Sequence, residues 1–419
     1  MITPIQNQDR EVFMDVLRGF AILGIFIANL NSFSFYSANA TETGPFLMPA
    51  FDEKMSFLHH MFIEGKFYTI FSFLFGWGIA LQIKRGANKG LDVIPTVKRR
   101  LLFMLVLGFI HLMLWPGDIV FFYAILGFIL LLFINYSDRV LVWTGLSMVL
   151  LPIVLYGAKM HLSWLNAPAG IFYATGQQID NVLMGINSEA DYKKFAETAG
   201  WWEVLKSNVS GFFYRFGYLF FVSRIFKVLG IFLIGYVIGR SDFYKNFVRN
   251  KKIIYWVITI GLVVGLPANY FLAYYMSTFM DDYWALKTNG FYQTLAYAFG
   301  VAPLGFAYIG LAMLCFQSGL GSKIMTILAP VGKMAFSNYV MHTMIGNFVF
   351  LNAGLGWMGK VGPVYYTLFG ISVFILQIML STFWLKYFNF GPIEWLWRSA
   401  TYGKWQTFKK GTSSMVTPD

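Results

Sequence analysis

The sequence predicts an all-α, polytopic membrane protein of about ten transmembrane helices. Three observations carry that expectation. Of 419 residues, 57% are hydrophobic and only 12% charged, against roughly 25% charged in a soluble domain. The apolar residues gather in long runs, and the mean hydropathy is +0.59; a span needs about 20 such residues. Lys and Arg, finally, collect in the segments between runs, alternately dense and sparse, as membrane orientation requires.

On that rule helices are expected near 14–33, 56–83, 98–115, 119–134, 139–159, 219–239, 253–274, 291–317, 333–351 and 362–386. The third and fourth form a hairpin around Trp115-Pro116-Gly117-Asp118, where proline and glycine stop the helix. The fourth is short. Before the sixth, Trp201, Trp202, Phe212 and Phe213 point to an interfacial segment over 205–222. The chain reads as one integral membrane domain, 1–419: helices one to five (14–159), an external connection (160–218), helices six to ten (219–386) and a basic cytoplasmic tail (387–419). The long connection carries a charged helical stretch from Ser188 to Lys206 and reads equally as a solvated cap or a lid.

Charge sets the orientation. Twenty Lys and Arg fall on the side of the termini and seven on the other, which places both termini in the cytoplasm. An odd helix count would scramble this asymmetry. The opening Arg10 and Arg18, an apolar run and Ala38-Asn39-Ala40 imitate a signal peptide. Asp15 in the positive region, and a run that merges with Phe33 and Phe35, favour a retained first helix.

The net charge of +12 is spread among inter-helix segments, so it speaks for the lipid bilayer as partner and not for nucleic acid. Aromatics at 20% suit lipid-facing walls and interfacial belts. A single cysteine, Cys315, excludes a disulfide framework. There is no HExxH or comparable spacing, so no metal is expected. No phosphate-binding glycine loop is present; Gly76-Trp77-Gly78 reads as close helix packing. Arg18-GFAILGIF and Arg224-IFKVLGIF echo each other at the starts of helices one and six, which admits two inverted five-helix halves.

Ionisable groups inside a membrane are costly and mark sites. An outer layer holds Asn29, His59, His60, Glu64, Lys66, His111, Asp118, Arg224 and Lys227. An inner layer holds Asp15, Arg18, Ser337, Asn338, Lys386, Glu394 and Arg398, with His342 between. His111 is the candidate general base, since imidazole titrates near neutrality. Asp118 either folds back onto it or only caps the next helix. Asp15 and Arg18 share a helix face, as a salt bridge or as part of a site for an anionic cytoplasmic ligand. His60 and Glu64 also share a face. No serine or cysteine sits at a recognisable nucleophile elbow.

Specific motifs recur along nearly the whole chain: Asp15-x-x-Arg18-Gly19-Phe20 with Gly24 and Asn29; Lys66-Phe67 and Phe71-Ser72-Phe73-Leu74-Phe75-Gly76; Arg100-Leu101, His111 and Gly117-Asp118-Ile119; Gly332-Lys333-Met334-Ala335 with Ser337-Asn338-Tyr339; and Gly391-Pro392-x-Glu394-Trp395-x-Trp397-Arg398. In these the chain resembles the YeiB family of bacterial membrane proteins. Lys333 stands where the family pattern has arginine, and Thr343 where it has serine. That family in turn resembles transmembrane acyltransferases such as heparan-α-glucosaminide N-acetyltransferase.

The resemblance implies a multi-pass protein of the bacterial inner membrane that moves an acyl group from cytoplasmic acyl-CoA to a small-molecule or glycan acceptor outside. His111 and Asp118 would then be catalytic. Asp15, Arg18, Arg99, Arg100, Ser337, Asn338 and Arg398 would meet the donor, and Asn29, His60, Glu64, Lys66 and Arg224 the acceptor. The rival readings are a carrier or flippase for a small anionic or lipid-linked substrate, and a membrane sensor without turnover.

Overall fold

The computed structural model describes residues 12–36, 46–241 and 250–410. Among them the chain is helical, with no β-strand. In chain order the helices are α1 (Val12–Ser34), α2 (Pro49–Phe62), α3 (Lys66–Ala87), α4 (Ile94–Leu114), α5 (Val120–Leu131), α6 (Asp138–His161), α7 (Ala167–Ile179), α8 (Glu189–Thr198), α9 (Trp201–Phe221), α10 (Arg224–Arg240), α11 (Lys251–Thr278), α12 (Met280–Trp284), α13 (Thr288–Gln317), α14 (Gly319–Thr326), α15 (Ala329–Lys333), α16 (Ala335–Phe350), α17 (Pro363–Tyr387) and α18 (Pro392–Tyr402).

Among the described residues six helical stretches are long and apolar enough to cross a membrane, or seven if the bent pair α9–α10 counts as one. The surface agrees. Along α17, Leu368, Ile371, Ile375, Met379 and Phe383 are all exposed, at the spacing of one helix face. Trp143, Leu150 and Val154 do the same on α6, and Trp256, Ile260 and Val263 on α11. So much exposed apolar surface belongs in lipid.

Three expected elements differ in detail. The helix expected over 56–83 is broken: α2 ends at Phe62 and α3 restarts after Gly65, whose φ of +77° an L side chain rarely adopts. Lys66 Nζ, fully buried, donates to the His60 carbonyl at 2.7 Å and caps the end of α2. The sixth helix, expected over 219–239, begins as α9 at Trp201 and turns through 72° at Val222–Ser223 into α10. There Lys159 Nζ donates to the carbonyls of Phe220 (3.1 Å) and Phe221 (2.8 Å); Phe220 O also accepts from Ser223 N at 3.2 Å, and Phe221 O takes its hydrogen bond from the lysine. The long connection is mostly helical, made of α7, α8 and α9.

The core centres on Tyr123 of α5, which is fully buried. Its hydroxyl meets Ser72 Oγ of α3 at 2.5 Å, and its ring stands edge-on to Phe232 of α10 at 5.0 Å. Helices α3 and α10 approach backbone to backbone. A Cβ at Gly76 would collide with the Phe232 carbonyl, and one at Gly235 with that of Phe73.

Candidate functional site

The hairpin builds the site from its turn upward. Trp115 leaves α4 in an extended conformation, and Pro116-Gly117 carries the chain to Asp118. The last carbonyls of α4 are satisfied from two other elements. Asn208 Nδ2 of α9 donates to Met113 O at 2.8 Å, and Asn347 Nδ2 of α16 to Leu114 O at 2.9 Å. The turn is thereby held.

Asp118 performs both of the roles open to it. Its Oδ1 lies 2.7 Å from His111 Nδ1, and its Oδ2 accepts from Phe121 N at 2.7 Å, capping α5. On the other side of the ring, His111 Nε2 lies 2.8 Å from Thr343 Oγ1 of α16. All three residues are buried, at 2%, 1% and 1% exposure. An ionised carboxylate only accepts, so a neutral imidazole carries its proton on Nδ1 and Nε2 accepts from Thr343. The result is an Asp–His–Thr chain in which the His111 ring is oriented at both nitrogens. The ring also packs on Tyr339, centroids 4.9 Å apart.

A cavity of about 280 Å³ approaches this chain from the end of the bundle where α1 and α4 begin. On α1 it is lined by Met14, Arg18, Ile22 and Ile25, one helical face that runs about 16 Å along the axis. Its mouth carries Arg18, Arg85, Arg100, Lys333 and Arg398, and its inner end is made by Ile119, Val120 and Tyr339. Those inner residues adjoin Asp118 in sequence or touch His111. His111 itself is walled off, one side chain beyond the cavity.

The mouth is ordered. Asp15 pairs with Arg18 at 2.8 Å. Arg100 donates to Gln82 at 2.9 Å and lies over the Trp397 ring at 4.6 Å, while Arg398 lies over Phe390 at 4.7 Å. Glu394, on the short helix α18 outside the spans, accepts from the amides of Phe336 (2.7 Å) and Ser337 (3.0 Å) and so caps α16. Burial pushes its carboxyl above the ordinary glutamate range.

Arg18, Arg100 and Arg398, named from sequence as donor-binding, line this one cavity, with Asp15 behind Arg18. Arg99 is exposed and absent from the lining. Ser337 donates to Glu394 at 2.5 Å, and Asn338 to Ser381 at 3.0 Å and to Met334 O at 3.1 Å; these are fastenings of α16. Of the acceptor group, Glu64 and Arg224 come together at 3.9 Å. His60 and Lys66 are joined through the α2 cap, and Asn29 is half-buried on α1. Sequence reasoning missed Arg85, Gln82 and Trp397 at the mouth. It also missed Thr343 as a partner of His111, and Arg215, whose Nη2 donates to Asp118 O at 3.4 Å. Arg85 sits at i,i+3 from Gln82, a spacing that was readable.

A family model described as "Protein of unknown function (DUF418)" matches residues 238–404. The uncharacterized protein YxaH of Bacillus subtilis (strain 168) is 30% identical over 98% of this chain and 99% of its own length. An uncharacterized 39.9 kDa protein from the amylase 3′ region of Bacillus acidopullulyticus is 27% identical, covering 96% of each chain. The uncharacterized YeiB of Escherichia coli (strain K12) is 25% identical over 94% of this chain and 96% of its own. No solved structure matches. With relatives aligned end to end and the DUF418 match in its later part, the chain belongs to the YeiB family of membrane proteins.

Proposed function

We propose that the protein is a membrane-embedded acyltransferase, taking an acyl group from cytoplasmic acyl-CoA and passing it to a hydroxyl or amine at the opposite face. The observation that carries this reading is one cavity that joins five cationic side chains at its mouth to the His111–Asp118 neighbourhood at its inner end. Arginine forks suit phosphates, and the planar Arg100 guanidinium held over Trp397 suits stacking by a flat base. The apolar interior suits a pantetheine arm and a short acyl chain. At about 280 Å³ the cavity is near the lower end of the ~300–1,000 Å³ of ligand sites, so the nucleotide part would stay at the mouth.

The chemistry follows from the tautomer. The acceptor O–H or N–H gives its proton to Thr343 Oγ1 while that hydroxyl passes its own to His111 Nε2. The acceptor's lone pair attacks the thioester carbonyl, the C–S bond breaks, and the imidazolium returns the proton to the leaving thiolate. Asp118 holds Nδ1 and balances the transient imidazolium. Tyr339 would have to yield for the thioester to reach the base, which makes it the gate.

The same reading places the protein in the bacterial inner membrane with both termini cytoplasmic and ten crossings, of which α5, α16 and α10 are the shorter members. It also keeps the two inverted halves. In their support, α1 and α10, which carry the echoed segments, both pack on α3. A carrier is the second reading, favoured by a cavity that opens at one end only.

Purified protein in nanodiscs should bind coenzyme A, and Arg100→Gln with Arg398→Gln should weaken that binding at least tenfold. Coenzyme A binding that is absent, or indifferent to both substitutions, overturns the acyltransferase reading.

A further inference from the structure

We infer that Arg215 and Arg224, with Lys227, form a receptor for a phosphate group on the acceptor, beyond the inner end of the donor cavity. The proposal rests on the acyltransferase reading for the role of its ligand, not for the site itself.

The cluster lies where α9 bends into α10. The Arg224 guanidinium stands 5.3 Å from the Tyr68 ring and 5.1 Å from the Tyr218 ring, and that of Arg215 is 5.9 Å from the same Tyr218 ring. Lys227 Nζ is 3.9 Å from the Tyr297 ring. Two guanidinium groups thus share one phenol, with a third cation nearby. The side chain of Arg224 is only 13% exposed.

Three buried polar atoms here have no hydrogen-bond partner: Arg215 Nε, Arg224 Nε and Tyr68 Oη. They come from three helices, α9, α10 and α3, and a buried donor left unpaired is expensive. Arg224 and Lys227 with Tyr68 and Tyr297 line a second cavity of about 30 Å³, room for the head of an anion and not for a whole molecule.

Charge and geometry together decide which anion. Glu64, 3.9 Å from Arg224, and the ionised Asp118, whose backbone carbonyl Arg215 contacts, set two negative charges against three cations. The cluster keeps a net positive charge, and paired guanidinium forks match the free oxygens of a phosphate monoester better than the two of a carboxylate. Arg215 also donates to the Asp118 carbonyl, so a phosphate seated here places the rest of the acceptor beside the base.

The source of the phosphate, a soluble ester or a lipid headgroup, is separated by the test. Protein in phosphatidylcholine nanodiscs is titrated with glycerol 1-phosphate, and in parallel prepared with phosphatidic acid in the disc, with glycerol as the neutral control. Thermal stabilisation and calorimetry report binding. One of the two phosphate probes should bind, and both Arg215→Gln and Arg224→Gln should weaken it at least tenfold, with glycerol inert. Arg224→Lys should recover part of the loss, and Arg398→Gln at the mouth should leave it intact. Binding of neither probe overturns the proposal, as does binding that both glutamine variants retain or that Arg398→Gln abolishes. Phosphate binding without coenzyme A binding would uphold this site and remove only the acyl-donor reading.

Discussion

The two oxygens of Asp118 serve different partners: one fixes a histidine tautomer, the other begins a helix. That division makes its substitution informative. Asp118→Asn preserves the cap by its carbonyl oxygen or the contact with Nδ1, but not both with the same polarity, and acyl transfer should fall about 10²–10⁴-fold, the usual worth of a positioned base. His111→Gln should fall by the same order while remaining folded. Full activity in either variant ends the general-base assignment. The proton relay is tested at Thr343: Thr343→Ser keeps a hydroxyl at Nε2 and should retain most of the rate, whereas Thr343→Val should lose about 10²-fold or more. Equal rates in the two variants would dismiss the relay.

At the scale of elements, the two breaks matter more than the spans. Gly65 and Ser223 each take a positive φ, and at each break a buried lysine donates to carbonyls of the last helical turn, Lys66 on α2 and Lys159 on α9. The breaks bring Glu64, Tyr68, Arg215 and Arg224 to one place. Lys159→Met keeps the apolar stem and deletes the donor, leaving the Phe221 carbonyl unpaired at about 1–3 kcal/mol, while Phe220 O keeps the Ser223 amide. The expected result is a lower melting temperature by tryptophan fluorescence; an unchanged one removes Lys159 from the bend. Between α3 and α10 the closeness of backbones is the constraint. Gly76→Val places a side chain against the Phe232 carbonyl, and overpacking of this kind costs about 1–3 kcal/mol or more. A variant as stable as the parent would show that these helices separate freely.

At the scale of the whole molecule, the arrangement is polar at two ends and sealed between. The cationic mouth opens at one end, the Arg215–Arg224–Lys227 cluster lies toward the other, and the Asp–His–Thr chain stands between them. Orientation is testable directly, because Cys315 is the one cysteine and Cys315→Ser gives a clean background. In intact cells Ala190→Cys should react with an impermeant maleimide, and Gly90→Cys only after lysis. The opposite pattern inverts the membrane assignment and, with it, the cytoplasmic donor.

The sequence by itself determined the helical class, the membrane environment and the hairpin. Runs of apolar residues and the placement of Lys and Arg express one-dimensional constraints, the thickness of the hydrocarbon and the asymmetry of insertion. It also marked His111, Asp118, Arg18, Arg100, Arg224 and Arg398, because an ionisable group in an apolar run stands out without any neighbour being known. What it left open was partnership. Whether Asp118 reaches His111 depends on a turn conformation, and Thr343 meets that histidine 232 positions later, a contact no local pattern encodes. Lys66 and His60 looked like site residues and cap a helix, because Gly65 breaks a run that hydropathy reads as continuous. Arg215 looked like a loop charge. Only the packing of α9 on α4, and its 72° turn into α10, brings that guanidinium to the back of the hairpin turn.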